Sequence, residues 1–206
     1  MRIIIAITLI LGVSCLQAQI NAGDPKNKEF KLFEGGVYAG ANFSQVHGDF
    51  YAGFDKIGLN AGPVVHVNLN QTWSISLELL YSQKGARSKP DPNNLNTYLL
   101  VLDYAEAPIL INYNDKNRLI FQAGLAYGRM INTREEINGI DNDNSEAIYS
   151  DELSYLIGGT LLIGEMKHFG VNFRYQGSIT TVGESADPKV VGLVNSLVTL
   201  RGVYYF

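Results

Sequence analysis

From residue 35 to the C-terminus, apolar and polar positions alternate with a period of two. Phe169, Val171, Phe173 and Tyr175 take one side, with Asn172, Arg174 and Gln176 between them. Trp73, Ile75, Leu77, Leu79 and Tyr81 are opposed by Ser74, Ser76 and Glu78. Ile57, Leu59, Ala61, Pro63, Val65, Val67 and Leu69 alternate with Gly58, Asn60, Gly62, His66 and Asn68. Leu119, Phe121, Ala123, Leu125 and Tyr127 alternate with Gln122 and Gly124. This period sends successive side chains to opposite faces of a strand. It predicts strands near 36–46, 55–69, 72–84, 97–113, 118–131, 152–164, 168–180 and 193–206. The separators come in two kinds. Asn70-Gln71, Asn114 to Asn117 and Glu165-Met166-Lys167 are short turns. Residues 47–54, 85–96, 132–151 and 181–192 are longer, polar and rich in Gly, Pro, Asn and Asp.

Strict alternation of short and long connections is the pattern of transmembrane barrels, which have short periplasmic turns and longer extracellular loops. A soluble sandwich would show the same period, with the polar face in water. The polar positions here are mostly Gly, Ser, Asn and Gln rather than Lys and Glu, which suits a narrow lumen. Aromatic residues gather toward strand ends, where interfacial girdles sit: Tyr38, Trp73, Tyr81, Tyr113, Tyr127, Tyr155, Tyr175, Tyr204 and Tyr205. The expected fold is all-β, a closed antiparallel transmembrane β-barrel of about eight strands. An even strand number brings both ends to the periplasmic side.

The N-terminus reads as an address. Met1-Arg2, the apolar run Ile3 to Val13, and Ser14 to Gln19 form the three parts of a secretory signal peptide, with cleavage expected after Ala18. The run is shorter than the roughly 20 residues a spanning helix needs. Residues 19–34 are expected to be a flexible periplasmic leader, and 35–206 the barrel domain. The single cysteine, Cys15, lies in the leading segment. It is removed with a signal peptide or, on a lipoprotein reading, acylated; Gly12 departs from the usual Leu of a lipobox. Without it no disulfide or thiolate metal site is possible. Gly is frequent at 21, charged residues are sparse at 17%, and net charge is −4, which argues against nucleic acid as a partner. No phosphate loop, zinc spacing or dinucleotide fingerprint is present, so no cofactor is expected.

Val198, Leu200, Gly202, Tyr204 and Phe206 share a face and end on a terminal Phe. This resembles the β-signal that the barrel-assembly machinery reads during insertion. Gly35 to Ser44 (GGVYAGANFS) and Tyr104 to Tyr113 (YAEAPILINY) resemble two strands of the PorT-like outer-membrane β-barrel family. Ala105, Ala107 and Asn112 stand where that family carries Leu, Ile and Lys. The resemblance implies an integral protein of the cell outer membrane of a Gram-negative bacterium, with membrane lipid around it. It carries no catalytic residues across.

Four charges fall on the polar face: Glu78 on the third expected strand, Glu106 on the fourth, Arg174 on the seventh and Arg201 on the eighth. In a ring of eight, third faces seventh and fourth faces eighth, so acids confront bases across the lumen. An ion-pair network that fills the barrel is expected, since buried charges must be paired; an ion path is the alternative. Asn60, His66, Asn172 and Gln176 are expected to line the same lumen. Ser44, His47 and Asp49 could approximate a nucleophile, base and orienter, but residues on one strand alternate faces. His168 reads as a turn residue. Asp141 to Glu146 is a solvated acidic loop that lacks the pattern of a calcium loop. The function expected is therefore non-enzymatic, structural or binding through extracellular loops. The alternatives are a narrow pore for small solutes or ions and a rim-active enzyme. The extracellular ligand is unknown.

Overall fold

In a bilayer the backbone finds no water to bond, so strands that cross it must pair on both edges and close into a ring. The alternating segments do this. The computed structural model describes residues 31–47, 53–88, 97–115, 118–142, 149–164, 167–183 and 192–206. They form β1 (Phe33–His47), β2 (Lys56–Asn68), β3 (Trp73–Glu78), β4 (Leu80–Arg87), β5 (Tyr98–Asn114), β6 (Leu119–Ile137), β7 (Ile140–Asn142), β8 (Asp151–Ile163), β9 (Phe169–Ser178) and β10 (Val194–Tyr205). Every pairing is antiparallel, and β10 returns to β1, with Tyr205 opposite Gly36. The expected signal peptide, Cys15 and most of the leader lie outside the described residues. Strand pairing begins at Phe33, two residues before the expected start of the barrel.

Ten strands make a ring of eight. β3 and β4 keep one register against both neighbours. Val64 pairs with Glu78 and Asn60 with Ser82 on one side; Leu77 pairs with Ile109 and Leu80 with Glu106 on the other. They are a single spanning strand, interrupted only at Leu79. That register sets Pro63 opposite Leu79 and Pro108 opposite Glu78. Neither proline has an N–H to donate to the ladder, which accounts for the gap. Leu79 still donates its own N–H to the Pro63 carbonyl at 3.1 Å.

The tenth strand comes from a hairpin in the third long connection. β6 continues past the expected end at residue 131 to Ile137, and β7 folds back on it, Ile137 opposite Ile140. Asn138 and Gly139 join them with φ of 55° and 75°, the left-handed pair that a two-residue type I′ turn requires. A bulge at Ile131, where Tyr104 pairs with Met130 but Asp103 with Asn132, shifts the side-chain alternation by one residue. The period-two pattern is therefore lost to the eye at that point.

The apolar faces point outward. Ile57, Leu59, Leu79, Ile109, Ile111, Ile157, Phe173 and Leu200 are all exposed, as a lipid-facing wall demands. At the short-turn end, Trp73 packs edge-on to Tyr113, centroids 5.2 Å apart, and Phe169 meets Tyr204 at 4.9 Å. Two residues expected in this girdle lie elsewhere. Tyr38 and Tyr205 are buried in the lumen, hydroxyls 3.2 Å apart, because they share parity with Asn42 and Arg201.

A lumen this narrow cannot hold two large side chains abreast. Register resolves the conflict with glycine. Arg201 is opposite Gly40 and Tyr205 opposite Gly36, Tyr38 opposite Gly62, and Arg174 opposite Gly158. Glu106 and Glu152 flank one residue, Gly128. This alternation of small and large neighbours accounts for Gly36, Gly40, Gly62, Gly128 and Gly158.

Candidate functional site in the barrel lumen

The inner faces carry two charged groups, one above the other. The first centres on Glu78, projecting inward from the end of β3. Its carboxylate accepts two bonds from Arg174 of β9, Nη2 to Oε1 at 2.7 Å and Nη1 to Oε2 at 2.9 Å. Arg201 of β10 donates to the same carboxylate, 3.0 Å to Oε2 and 3.3 Å to Oε1. The rest of the Arg201 guanidinium is occupied too. Nε donates to Asn172 at 2.9 Å, Nη1 donates to Asn60 at 3.0 Å, and the plane lies over the Tyr38 ring, 3.7 Å from its centroid. A planar guanidinium presents its donors as a fork, which suits it to a carboxylate in this way.

The second group lies closer to the extracellular end. Lys84 of β4 sits 2.6 Å from Glu106 of β5 and 3.0 Å from Glu152 of β8. Gln176 of β9 donates to Glu106 Oε1 at 2.8 Å and to the Ser154 hydroxyl at 2.8 Å. Ser178 and Asn195 donate to Glu152 at 2.7 and 3.0 Å. All six charged side chains are buried. One anion with two cations in the first group and one cation with two anions in the second make a neutral whole.

These positions differ from the sequence expectation in one respect. Glu78 faces Arg174 and Arg201, but Glu106 pairs with Lys84 rather than with an arginine. Lys84 and Glu152 complete the network and were missed. Their parity was legible: Lys84 lies six residues from Glu78 and Glu152 two from Ser154. Each sat at the end of its expected strand, where a charge reads as loop.

Below the charges, toward the periplasmic end, Tyr38, Val64, Val203 and Tyr205 form an apolar layer. His66 meets the Tyr205 ring edge-on with centroids 5.3 Å apart. Its Nδ1 is 3.5 Å from the Asn112 amide. Amides and hydroxyls of Asn112, Gln122, Thr160 and Asn172 link from strand to strand, the shortest bond being Asn172 to Gln122 at 2.6 Å. Above the charges, Val46, Ala86, Leu100, Leu102 and Tyr104 form a second apolar layer. Every spanning strand contributes buried side chains to the lumen.

The remaining candidates do not converge. Ser44 is buried and donates to the Gly85 carbonyl at 3.0 Å, whereas His47 is exposed beside Gln45; Asp49 lies outside the described residues. His168 donates from Nδ1 to the Tyr205 carbonyl at 2.8 Å, beside the short turn. No group of three metal-ligating side chains occurs among the described residues, and most of the acidic loop 141–146 lies outside them. On the C-terminal strand Leu200, Tyr204 and Phe206 are exposed on the outer face, with Val198 partly so. The Phe206 N–H donates to the Gly35 carbonyl at 3.0 Å.

No helix among the described residues is long and apolar enough to cross a membrane; the strands do the crossing. A barrel of this form is similar to Ail, the attachment invasion locus protein of Yersinia pestis, with TM-score 0.52, 13% identity, and cover of 85% of this chain and 100% of that one. Neisserial surface protein A aligns over 85% of this chain and 98% of its own, at 11% identity and TM-score 0.47. CarO of Acinetobacter baumannii aligns over 88% and 100%, at 12% identity and TM-score 0.44. At such identities the likeness to Ail concerns the fold alone. No curated protein sequence matches. The family model described as outer membrane protein beta-barrel domain matches residues 7–182. The chain belongs to that family and is an integral protein of the outer membrane.

Proposed function

We propose that this protein is a closed, non-enzymatic barrel with a structural or binding role, presenting its extracellular loops while its lumen stays shut. The observation that carries the reading is Glu78 held by Arg174 and Arg201 from strands across the ring, between two apolar layers. Ions crossing a bilayer need polar groups free to receive them, and the luminal charges here are engaged with one another and with neighbouring amides, which supports the shut reading. An enzymatic rim would need a nucleophile and base in contact, and Ser44 is bonded inward while His47 points out. Within the barrel family we place the chain with PorT-like proteins, on the segments 35–44 of β1 and 104–113 of β5.

Planar-bilayer recording of the purified protein tests the shut lumen. The expected result is no stepwise conductance from the wild type. Regular single-channel steps from it would replace this reading with that of a narrow pore.

A further inference from the structure

Charges also stand on the outer wall, where the alternation continues from lipid-facing positions. On β8 the outward residues Ile163, Leu161, Ile157, Tyr155 and Leu153 are apolar and exposed, and the next one is Asp151. On β6 the outward run Phe121, Leu125, Tyr127 is followed by Arg129. The two charges are register partners. Arg129 Nη1 donates to both Asp151 oxygens, at 2.8 and 2.9 Å, and the Tyr127 hydroxyl donates to Oδ1 at 2.6 Å. Half or more of each charged side chain is exposed. On β5, Asp103 follows Ala107 and Ala105 at outward positions. Gln83 of β4 donates to its Oδ1 at 2.9 Å and Asn132 of β6 to its Oδ2 at 3.0 Å. The bulge at Ile131 turns Asn132 to this face; without it the side chain would point into the lumen.

Ionised groups on the lipid side of a barrel are costly at mid-bilayer and tolerated at its edge. We propose that Gln83, Asp103, Tyr127, Arg129, Asn132 and Asp151 form the surface that meets the headgroups of outer-leaflet lipids, so that the hydrocarbon ends at this level. The apolar wall below has the matching height. Leu153 to Ile163 is ten residue steps, about 25 Å at the usual rise and tilt of a barrel strand, which is the height of an outer-membrane apolar band. Phosphates, esters and hydroxyls of a headgroup layer supply donors and acceptors to a face that carries both signs of charge. Past Arg129, β6 runs on from Met130 to Ile137, paired with β5 on one edge and with β7 on the other. β8, by contrast, begins at Asp151, level with Arg129. The three strands therefore stand as a spur about 15–20 Å clear of the hydrocarbon. The spur's outward face suits that position: Arg134 is 60% exposed and bonds Asp141 at 3.4 Å.

Depth-dependent quenching tests this. Residues 33–206 contain no cysteine, so in a Cys15→Ser background each introduced thiol carries a bimane fluorophore alone. The labelled sites are Ile157→Cys in the apolar wall, Ala105→Cys beside the charged row and Arg134→Cys on the spur, each variant first shown to shift on boiling as the parent does. The protein is placed in phosphatidylcholine vesicles doped with lipid bearing a nitroxide on the headgroup or at mid-acyl chain. Ile157→Cys should lose most fluorescence to the acyl-chain nitroxide and Ala105→Cys to the headgroup nitroxide. Arg134→Cys should lose most to a water-soluble nitroxide. Strongest acyl-chain quenching at Ala105→Cys or Arg134→Cys would place the hydrocarbon edge above the charged row and overturn the proposal. Failure of both lipid nitroxides to quench Ala105→Cys would also overturn it, since something other than lipid would cover that face. A conducting barrel with the expected depths would replace the shut-lumen reading and leave this inference standing.

Discussion

Glu78 is the one carboxylate among the described residues that forms salt bridges with both buried guanidiniums. Removing it strands both cations. Removing Arg174 strands nothing, since Glu78 keeps Arg201. The two substitutions should therefore differ in size although they break the same pair. Glu78→Gln should cost on the order of 3–5 kcal/mol, the usual effect of leaving a buried charge unpaired. Arg174→Met, which keeps the aliphatic stem, should cost less. Combining the two should recover part of the Glu78→Gln loss by removing the repulsion between the arginines, a non-additivity that independent sites do not show. Urea unfolding from lipid vesicles measures all three. Equal costs for the single variants, or strict additivity, would mean that the charges are not coupled as the distances indicate. Lys84 stands to Glu106 and Glu152 as Glu78 stands to the arginines, so Lys84→Met should also destabilise more than Glu152→Gln.

On the scale of the strand, register turns a one-dimensional pattern into a filled tube. Gly128 faces inward between Glu106 and Glu152, and a Cβ there would come 3.2 Å from Tyr104 Cδ1. Gly202 faces lipid, with the nearest atom to its would-be Cβ 3.8 Å away. Gly128→Val should thus lose about 1–3 kcal/mol to overpacking, while Gly202→Ala should be neutral within about 0.5 kcal/mol. Inserted yield and urea midpoints check the contrast; equal tolerance would show that the lumen has slack. Deleting Phe206 should lower the amount of protein reaching the outer membrane without lowering synthesis, because the exposed face of Leu200, Tyr204 and Phe206 is what assembly would read; unchanged membrane levels would remove that role. Much of this is legible in the sequence. Alternation located the eight spanning strands and the lumen parity of Glu78, Arg174 and Arg201. What escaped detection did so for physical reasons. The bulge at Ile131 reversed the parity of β6 and hid its extension. Lys84 and Glu152 lay at the ends of expected strands. Tyr38 and Tyr205 matched the composition of a girdle while their parity pointed inward.

At the scale of the whole molecule, stability is a property of closure. A bilayer gives little hydrophobic reward for packing one lipid-facing surface against another. What holds this ring is its uninterrupted sequence of paired edges, ending where β10 meets β1 over twelve residue pairs from Gly36 to His47, together with the charges that cross the lumen. Residues 33–206 contain no cysteine, so no covalent link assists. Opening any one seam would expose two strands of backbone groups to hydrocarbon at once, each costing several kcal/mol. Unfolding should therefore be all-or-none and slow. The protein extracted from outer membranes should stay folded in SDS at room temperature, run faster than its boiled form on a gel, and shift in a single step on heating. Reductant should leave that step unchanged. Glu78→Gln should lower the temperature of the shift more than Arg174→Met, because it leaves two like charges in a tube that cannot expand to separate them. Identical migration before and after boiling would mean that the ring is not closed in the membrane. A shift that depends on reductant would mean that something other than pairing and luminal charge holds it.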